Sequence, residues 1–233
     1  MVVAQTSPSH AQTVNLGTDV DYAVLAASTV TNTGSSVISG FVGLSPGTSV
    51  TGFPPGTATA IHAADAVALQ GQVDLSAAYL SALNRPTTVN LTGRDLGGLT
   101  LTPGVYNFDS SAQLTGLLRL NGLNNPASVF IFNIGSTLTT ASASSILLLN
   151  GAQGNNVFFR VGSSATLGTT TSFIGNILAQ TSITLNTGAT LSCGRALART
   201  GAVTLDTNTI TTCTIIPAAT PATTVTTLSL IHI

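Results

Sequence analysis

The sequence contains no lysine, no glutamate and no tryptophan, and only 6% of its 233 residues are charged, where about a quarter is usual. All six basic residues are arginine and all seven acidic ones are aspartate, for a net charge of −1. With so little positive charge there is no electrostatic footprint for nucleic acid. No run of about 18 apolar residues is present, so no segment reads as membrane-spanning. Polysaccharide-cleaving β-helix enzymes rely on clustered Asp, Lys or Arg. Here the aspartates scatter from Asp19 to Asp206 and lysine is missing. The motifs His-Glu-x-x-His, Gly-x-Gly-x-x-Gly and the P-loop are also missing. Asp206 with Arg195 or Arg199 reads as an edge ion pair rather than a catalytic couple. The expectation is a protein without enzymatic activity, cofactor or metal. Low charge alone would fit disorder, but 43% hydrophobic residues in strand-like patterns fit a packed chain.

What is present is repetition. Ala-Thr-Leu-Gly-Thr at 165–169, Ile-Thr-Leu-Asn-Thr at 183–187 and Val-Thr-Leu-Asp-Thr at 203–207 return at spacings of 18 and 20 residues. Ser136-Thr137-Leu138-Thr139-Thr140 reads as a fourth copy, 29 residues upstream of the first. Repeats of this length mark solenoids, whose units bury their apolar faces by stacking. Alternation around each leucine and β-branched neighbours make the unit a strand, hence a coil of a β-helix. With Leu167, Leu185 and Leu205 inward, Thr166, Thr184 and Thr204 point outward, because successive side chains alternate. Thr169, Thr187 and Thr207 read as a parallel column. Such a stack is a flat array of methyls and hydroxyls at about 4.8 Å spacing. An ordinary solvated strand surface also accounts for any one of these threonines, since threonine favours strands.

Two further strands, Phe130–Ser136 and Val157–Ser163, lie 27 residues apart and each leads into a threonine copy. Their phenylalanines read as core. Near the N-terminus, Tyr22–Leu25, Ser28–Gly34, Val37-Ile38 and Phe41-Val42 read as short strands, with turns following at Ser45–Gly47 and Phe53–Gly56. With Val30 inward, Thr29 and Thr31 point outward. From about Ile61 to Leu83 apolar residues recur at helical spacing, so one long helix is expected along the flank. Thr57 or Thr59 could cap it, Asp65 suits its positive end, and Asn84-Arg85-Pro86 stops it. His62 reads as structural. Cys193 and Cys213 each follow a repeat threonine by nine residues. They therefore share a column, either as a disulfide or as two buried thiols. Residues 1–13 read as a disordered remnant, 14–216 as one domain and 217–233 as a flexible tail. Met1–Gln12 lacks the basic region and apolar core of a signal peptide. Secretion is nonetheless expected from the uncharged surface.

Tyr22–Gly34, Ser45–Gly56, Ile61–Ala66, Asp95–Tyr106, Val129–Phe132, Ile174–Ala179, Gly194–Arg199 and Gly201–Asp206 together resemble, collinearly over about residues 14–212, the large microbial ice-binding (antifreeze) protein family. The resemblance implies a mostly β fold: a right-handed, discontinuous β-solenoid of roughly triangular cross-section with one long helix alongside. It also implies a secreted monomer whose partner is the ice surface. A Thr-Ala/Gly-x-Thr/Asn motif found in some members is matched by Thr187-Gly188-Ala189-Thr190. Thr169–Ser172 and Thr207–Ile210 match it in part. The candidate ice contacts are Thr29, Thr31, Thr51, Thr140, Thr166, Thr169, Thr171, Thr184, Thr187, Thr190, Thr204, Thr207 and Thr209. An adhesive or carbohydrate-binding module using the same face is the alternative.

Overall fold

Leucine and isoleucine alternating with threonine dictate short strands, and the chain stacks them in parallel. The computed structural model describes residues 13–213; the readings for residues 1–12 and 217–233 fall outside them. A seven-stranded sheet runs in the order Ser49–Thr51, Thr29–Thr33, Val203–Asp206, Ile183–Leu185, Ala165–Leu167, Leu138–Thr140, Ala112–Leu114. Every pairing in it is parallel. The N-terminal strands therefore dock on the last repeat, so stacking order departs from chain order. The fold is mostly β with one long helix.

A second, 13-stranded sheet contains the longer strands, among them Val37–Leu44, Ser172–Ala179 and Thr190–Ala198. These shift register between Ile174 and Asn176 and between Ile38 and Phe41. Gly175 (φ 113°) and Gly40 (φ 150°) stand at the shifts, where the backbone needs conformations that side chains disfavour. A Cβ on Gly194 would lie 2.0 Å from the carbonyl oxygen of Gly175, so adjacent coils touch backbone to backbone there. Each bend divides its strand into a first part on one side of the molecule and a second part on another.

The core lies inside these sides. Leu167, Leu185 and Leu205 are paired in register and at most 1% exposed. The rings of Tyr106, Phe132 and Phe159 stack at 5.4 and 4.4 Å, and Phe173 follows at 4.8 Å. The aromatic strands are core.

The helix spans Ala66–Leu83, five residues shorter at its start than the expected 61–83. Ile61, His62 and Ala63 belong instead to a strand, Thr57–Ala63, that pairs with Val37–Leu44. An available strand edge overrode the helical spacing. Ala64 turns left-handed (φ 54°), and Asp65, not Thr57 or Thr59, is the N-cap, accepting from the Ala68 amide at 2.8 Å. His62 Nδ1 lies 2.8 Å from the same carboxylate. The buried helix face (Leu75, Ala78, Tyr79, Ala82) covers Tyr22, Leu25, Val105, Ile131, Phe158, Leu178 and Leu197. Each large aliphatic side chain buried there contributes about 1.5–3 kcal/mol. Tyr79 is held between Arg160 and Arg199, each guanidinium 4.5 Å from the ring centroid. Arg195 is buried nearby, donating to the Asp19 and Val20 carbonyls and to Asn176 Oδ1. The expected pairing of Asp206 with Arg195 or Arg199 is absent, because the arginines lie on the helix side and Asp206 on the short sheet. Among the described residues no helix is long and apolar enough to cross a membrane.

Candidate functional site

The seven-stranded sheet presents one outward column of unusual uniformity. Thr51 pairs with Thr31, Thr31 with Thr204, Thr204 with Thr184, Thr184 with Thr166 and Thr166 with Thr139; Gln113 ends the row. Thr31, Thr51, Thr139 and Thr204 are exposed, and Thr166 and Thr184 half-buried. Their spacing is that of neighbouring strands, about 4.8 Å. Buried Val30, Val203, Leu205, Ile183, Leu185, Ala165, Leu167 and Leu138 anchor the strands from beneath. The row therefore sits on close-packed core and has little freedom to move.

A flanking column contains Thr29, paired with Ser49. Beside it, Ser182 Oγ accepts from the Ala202 amide at 3.2 Å and Ser164 Oγ from the Ser182 amide at 3.3 Å. Thr137 donates to Ser111 at 2.8 Å. These hydroxyls are tied to neighbouring coils rather than free to rotate into solvent.

At the other margin Thr169 and Thr187 are exposed, and the Thr187 hydroxyl donates to the Asp206 carboxylate. Asp206, not Thr207, continues this row, pairing with Thr33. Thr207 is displaced by one residue onto the corner. There it shares left-handed backbone (φ 54°) with Thr170, Gly188 and Gly34 (54°, 69° and 73°). The reason is length: the turn from Leu205 to Thr209 has one residue fewer than that from Leu185 to Thr190.

Two sequence candidates face the wrong way. Thr140 (3% exposed) and Thr171 (0%) point inward, their hydroxyls 2.8 Å apart. Thr140 Oγ1 also accepts from the Gly168 amide at 2.8 Å, and Thr171 donates to the Ala141 carbonyl at 3.2 Å. The error at Thr140 is one of register. Leu138 pairs with Ala165, two residues from the alignment that the shared Thr-Leu suggests, so Thr139 takes the outward place. The aromatic strands carry the signal that finds it. Phe130 pairs with Val157, and Thr139 and Thr166 each follow their strand's first residue by nine. Thr171 is inward because the chain is turning the corner, where Thr171 N bonds back to the Gly168 carbonyl at 3.1 Å.

Thr190 and Thr209 are paired with each other in the 13-stranded sheet, on a different side from Thr184. Cys193 and Cys213 are joined by a disulfide at the margin of that side, their Cα atoms 4.4 Å apart.

An ice-binding-like family model matches residues 24–211. The chain belongs to the ice-binding-like family. It is 58% identical over 205 residues to the ice-binding protein of Nostoc sp. (strain HG1), covering 88% of this chain and 76% of that one. The ice-binding protein of Flavobacterium frigoris (strain PS1) is 37% identical over 216 residues, covering 85% and 76%. The crystal structure of an ice-binding protein from an Antarctic biological consortium superposes with a TM-score of 0.85 at 45% identity, over 91% of this chain and 96% of that one. That of the ice-binding protein from the Antarctic ascomycete Antarctomyces psychrotrophicus gives 0.85 at 42%, over 88% and 100%.

Proposed function

We propose that this chain adsorbs to ice through the seven-stranded face, and that it is a secreted, monomeric antifreeze protein built as a right-handed, discontinuous β-solenoid of triangular cross-section. The observation that carries the reading is the in-register row Thr51, Thr31, Thr204, Thr184, Thr166 and Thr139. Parallel crossovers are right-handed as a rule, which supports the handedness. The disulfide between Cys193 and Cys213 fits an oxidising, extracellular setting.

The mechanism follows from the side chains. Threonine is stiff at χ1, so the array loses little freedom when it meets a solid surface. A lysine or glutamate in its place would forfeit up to about 2 kcal/mol of rotamer freedom on being immobilised. The methyl groups order a layer of water at near-ice spacing, and the hydroxyls hold that layer by hydrogen bonds. The ordered layer merges with the crystal. Adsorbed molecules pin the growth front, which curves between them, and this curvature lowers the freezing point and slows recrystallisation.

Ice-affinity partition tests the reading. The protein is expected to enter a slowly growing ice hemisphere and be enriched there relative to a co-dissolved dye. Exclusion with the dye would contradict ice adsorption and turn attention to saccharide binding.

A further inference from the structure

Asp206 is the one charged residue in the seven strands of the threonine face. It stands at the margin of that face, half-buried, and pairs with Thr33 of the neighbouring coil. Among the described residues no cation lies within salt-bridge distance of it. Hydroxyls engage its carboxylate instead. Thr187, from the preceding coil, donates to Oδ2, and Thr207 donates to Oδ1 at 3.1 Å. Both threonines are exposed.

The carboxylate is itself held from beneath. Asn208 is 1% exposed, and its Oδ1 accepts from the Asp206 amide at 2.7 Å. Asn208 Nδ2 donates to the Asn186 and Ala189 carbonyls at 3.0 and 2.9 Å. The Asp206 carbonyl accepts from the Gly188 amide at 3.1 Å, and the Thr207 amide donates to the Thr33 carbonyl at 2.9 Å. Gly34 leaves room for the Thr207 hydroxyl, since a Cβ at that position would overlap Thr207 Oγ1. An edge aspartate serving only solubility would need none of these contacts.

A hydroxyl carries one proton and two lone pairs, whereas a carboxylate only accepts. With both protons drawn to Asp206 by charge-assisted bonds, Thr187 and Thr207 present lone pairs to the outside. A free threonine hydroxyl turns between donating and accepting, and an ordered water layer would have to fix it on contact. Here the orientation is set before contact, which lowers the cost of adsorption.

We propose that Asp206 is a positioning residue of the ice-adsorbing face. It locks the Thr187 and Thr207 hydroxyls as acceptors, so that the margin meets the ordered water layer with a fixed hydrogen-bond polarity. This rests on the ice-binding reading above. Asp206 acts through the two hydroxyls and not as an ice contact of its own.

The test is a mutant cycle on full-length protein, read as the lowest concentration that halts ice recrystallisation. Wild type is compared with Asp206→Ala, with the Thr187→Val and Thr207→Val pair, with all three substitutions together, and with Asp206→Asn. The valine pair keeps the methyl groups and removes the hydroxyls. Unfolding midpoints are measured alongside. Asp206→Ala is expected to raise the inhibitory concentration at least about twofold at an unchanged midpoint. The valine pair is expected to raise it too. The triple variant is expected to be no worse than the valine pair, because without the hydroxyls the carboxylate has nothing to position. Asp206→Asn keeps one acceptor and nearly the same shape. It is expected to fall between wild type and the valine pair, and it carries the test should the alanine variant lose stability. An unchanged or lower inhibitory concentration in both Asp206 variants would overturn the positioning role. So would effects of Asp206→Ala and of the valine pair that multiply in the triple variant. A wild type that fails to halt recrystallisation at any concentration would instead overturn the ice-binding reading itself.

Discussion

Thr139 and Thr140 are adjacent and chemically identical, yet one is exposed on the threonine row and the other is buried against Thr171. The alternation of strand side chains is responsible, so register decides which threonine meets solvent. The consequence is measurable. Thr140→Val keeps the shape but leaves the Gly168 amide without its side-chain partner and the Thr171 hydroxyl with only the Ala141 carbonyl. It is expected to cost about 1–3 kcal/mol in urea unfolding while leaving ice activity per folded molecule unchanged. Loss of activity without loss of stability would return Thr140 to the ice-contacting set. Asp19 supplies a second test. Its carboxyl is buried with no hydrogen-bond partner, and burial, aided by the negative charge of Asp74, pushes its pKa from 3.8 up to about 8 against the pull of Arg195. Native protein thus holds this proton more tightly than unfolded chain. The contribution is complete below about pH 4 and declines as pH rises through the window to about 8. Asp19→Asn, which cannot ionise, is expected to gain stability relative to wild type across that window. A stability difference that stays constant from pH 4 to 8 would contradict the assignment.

Among elements, the repeats at 166, 184 and 204 were legible because apolar spacing and threonine recur together. Their pairings are those the spacing suggests. The fourth copy was misaligned because Thr-Leu appears there two residues out of register. A local dipeptide competes poorly with the long-range pairing of Phe130 to Val157. The helix was legible as an element but not at its start, where pairing with Val42, Gly43 and Leu44 drew Ile61–Ala63 into a strand. What holds the helix down was not legible at all. Tyr79 and its flanking Arg160 and Arg199 lie 81 and 120 residues apart in sequence, and nothing local announces their meeting. Tyr79→Ala is expected to cost about 3–5 kcal/mol, read as a lowered urea midpoint with one cooperative transition. A loss under about 1 kcal/mol would show that the helix docks without it.

For the whole molecule, the scarcity of charge and the architecture express one requirement. A surface that mates with a crystal must be flat, stiff and free of long solvated side chains. Stacked parallel strands supply the flatness, threonine the stiffness, and the arginines are diverted. Arg160, Arg195 and Arg199 serve the helix side, where their charges are engaged by a tyrosine ring, carbonyls and amide side chains. The N-terminal strands extend the threonine row by docking Thr31 on Thr204. This contact joins residues 173 apart and could be inferred only from family resemblance.

Inhibition of ice recrystallisation by wild type and by Thr184→Tyr tests the central claim most directly, since Thr184 stands mid-row between Thr166 and Thr204. Wild type is expected to hold crystal size nearly constant during annealing, and the tyrosine variant, at unchanged unfolding temperature, to let crystals coarsen markedly faster. Equal inhibition by both would contradict adsorption through the threonine row.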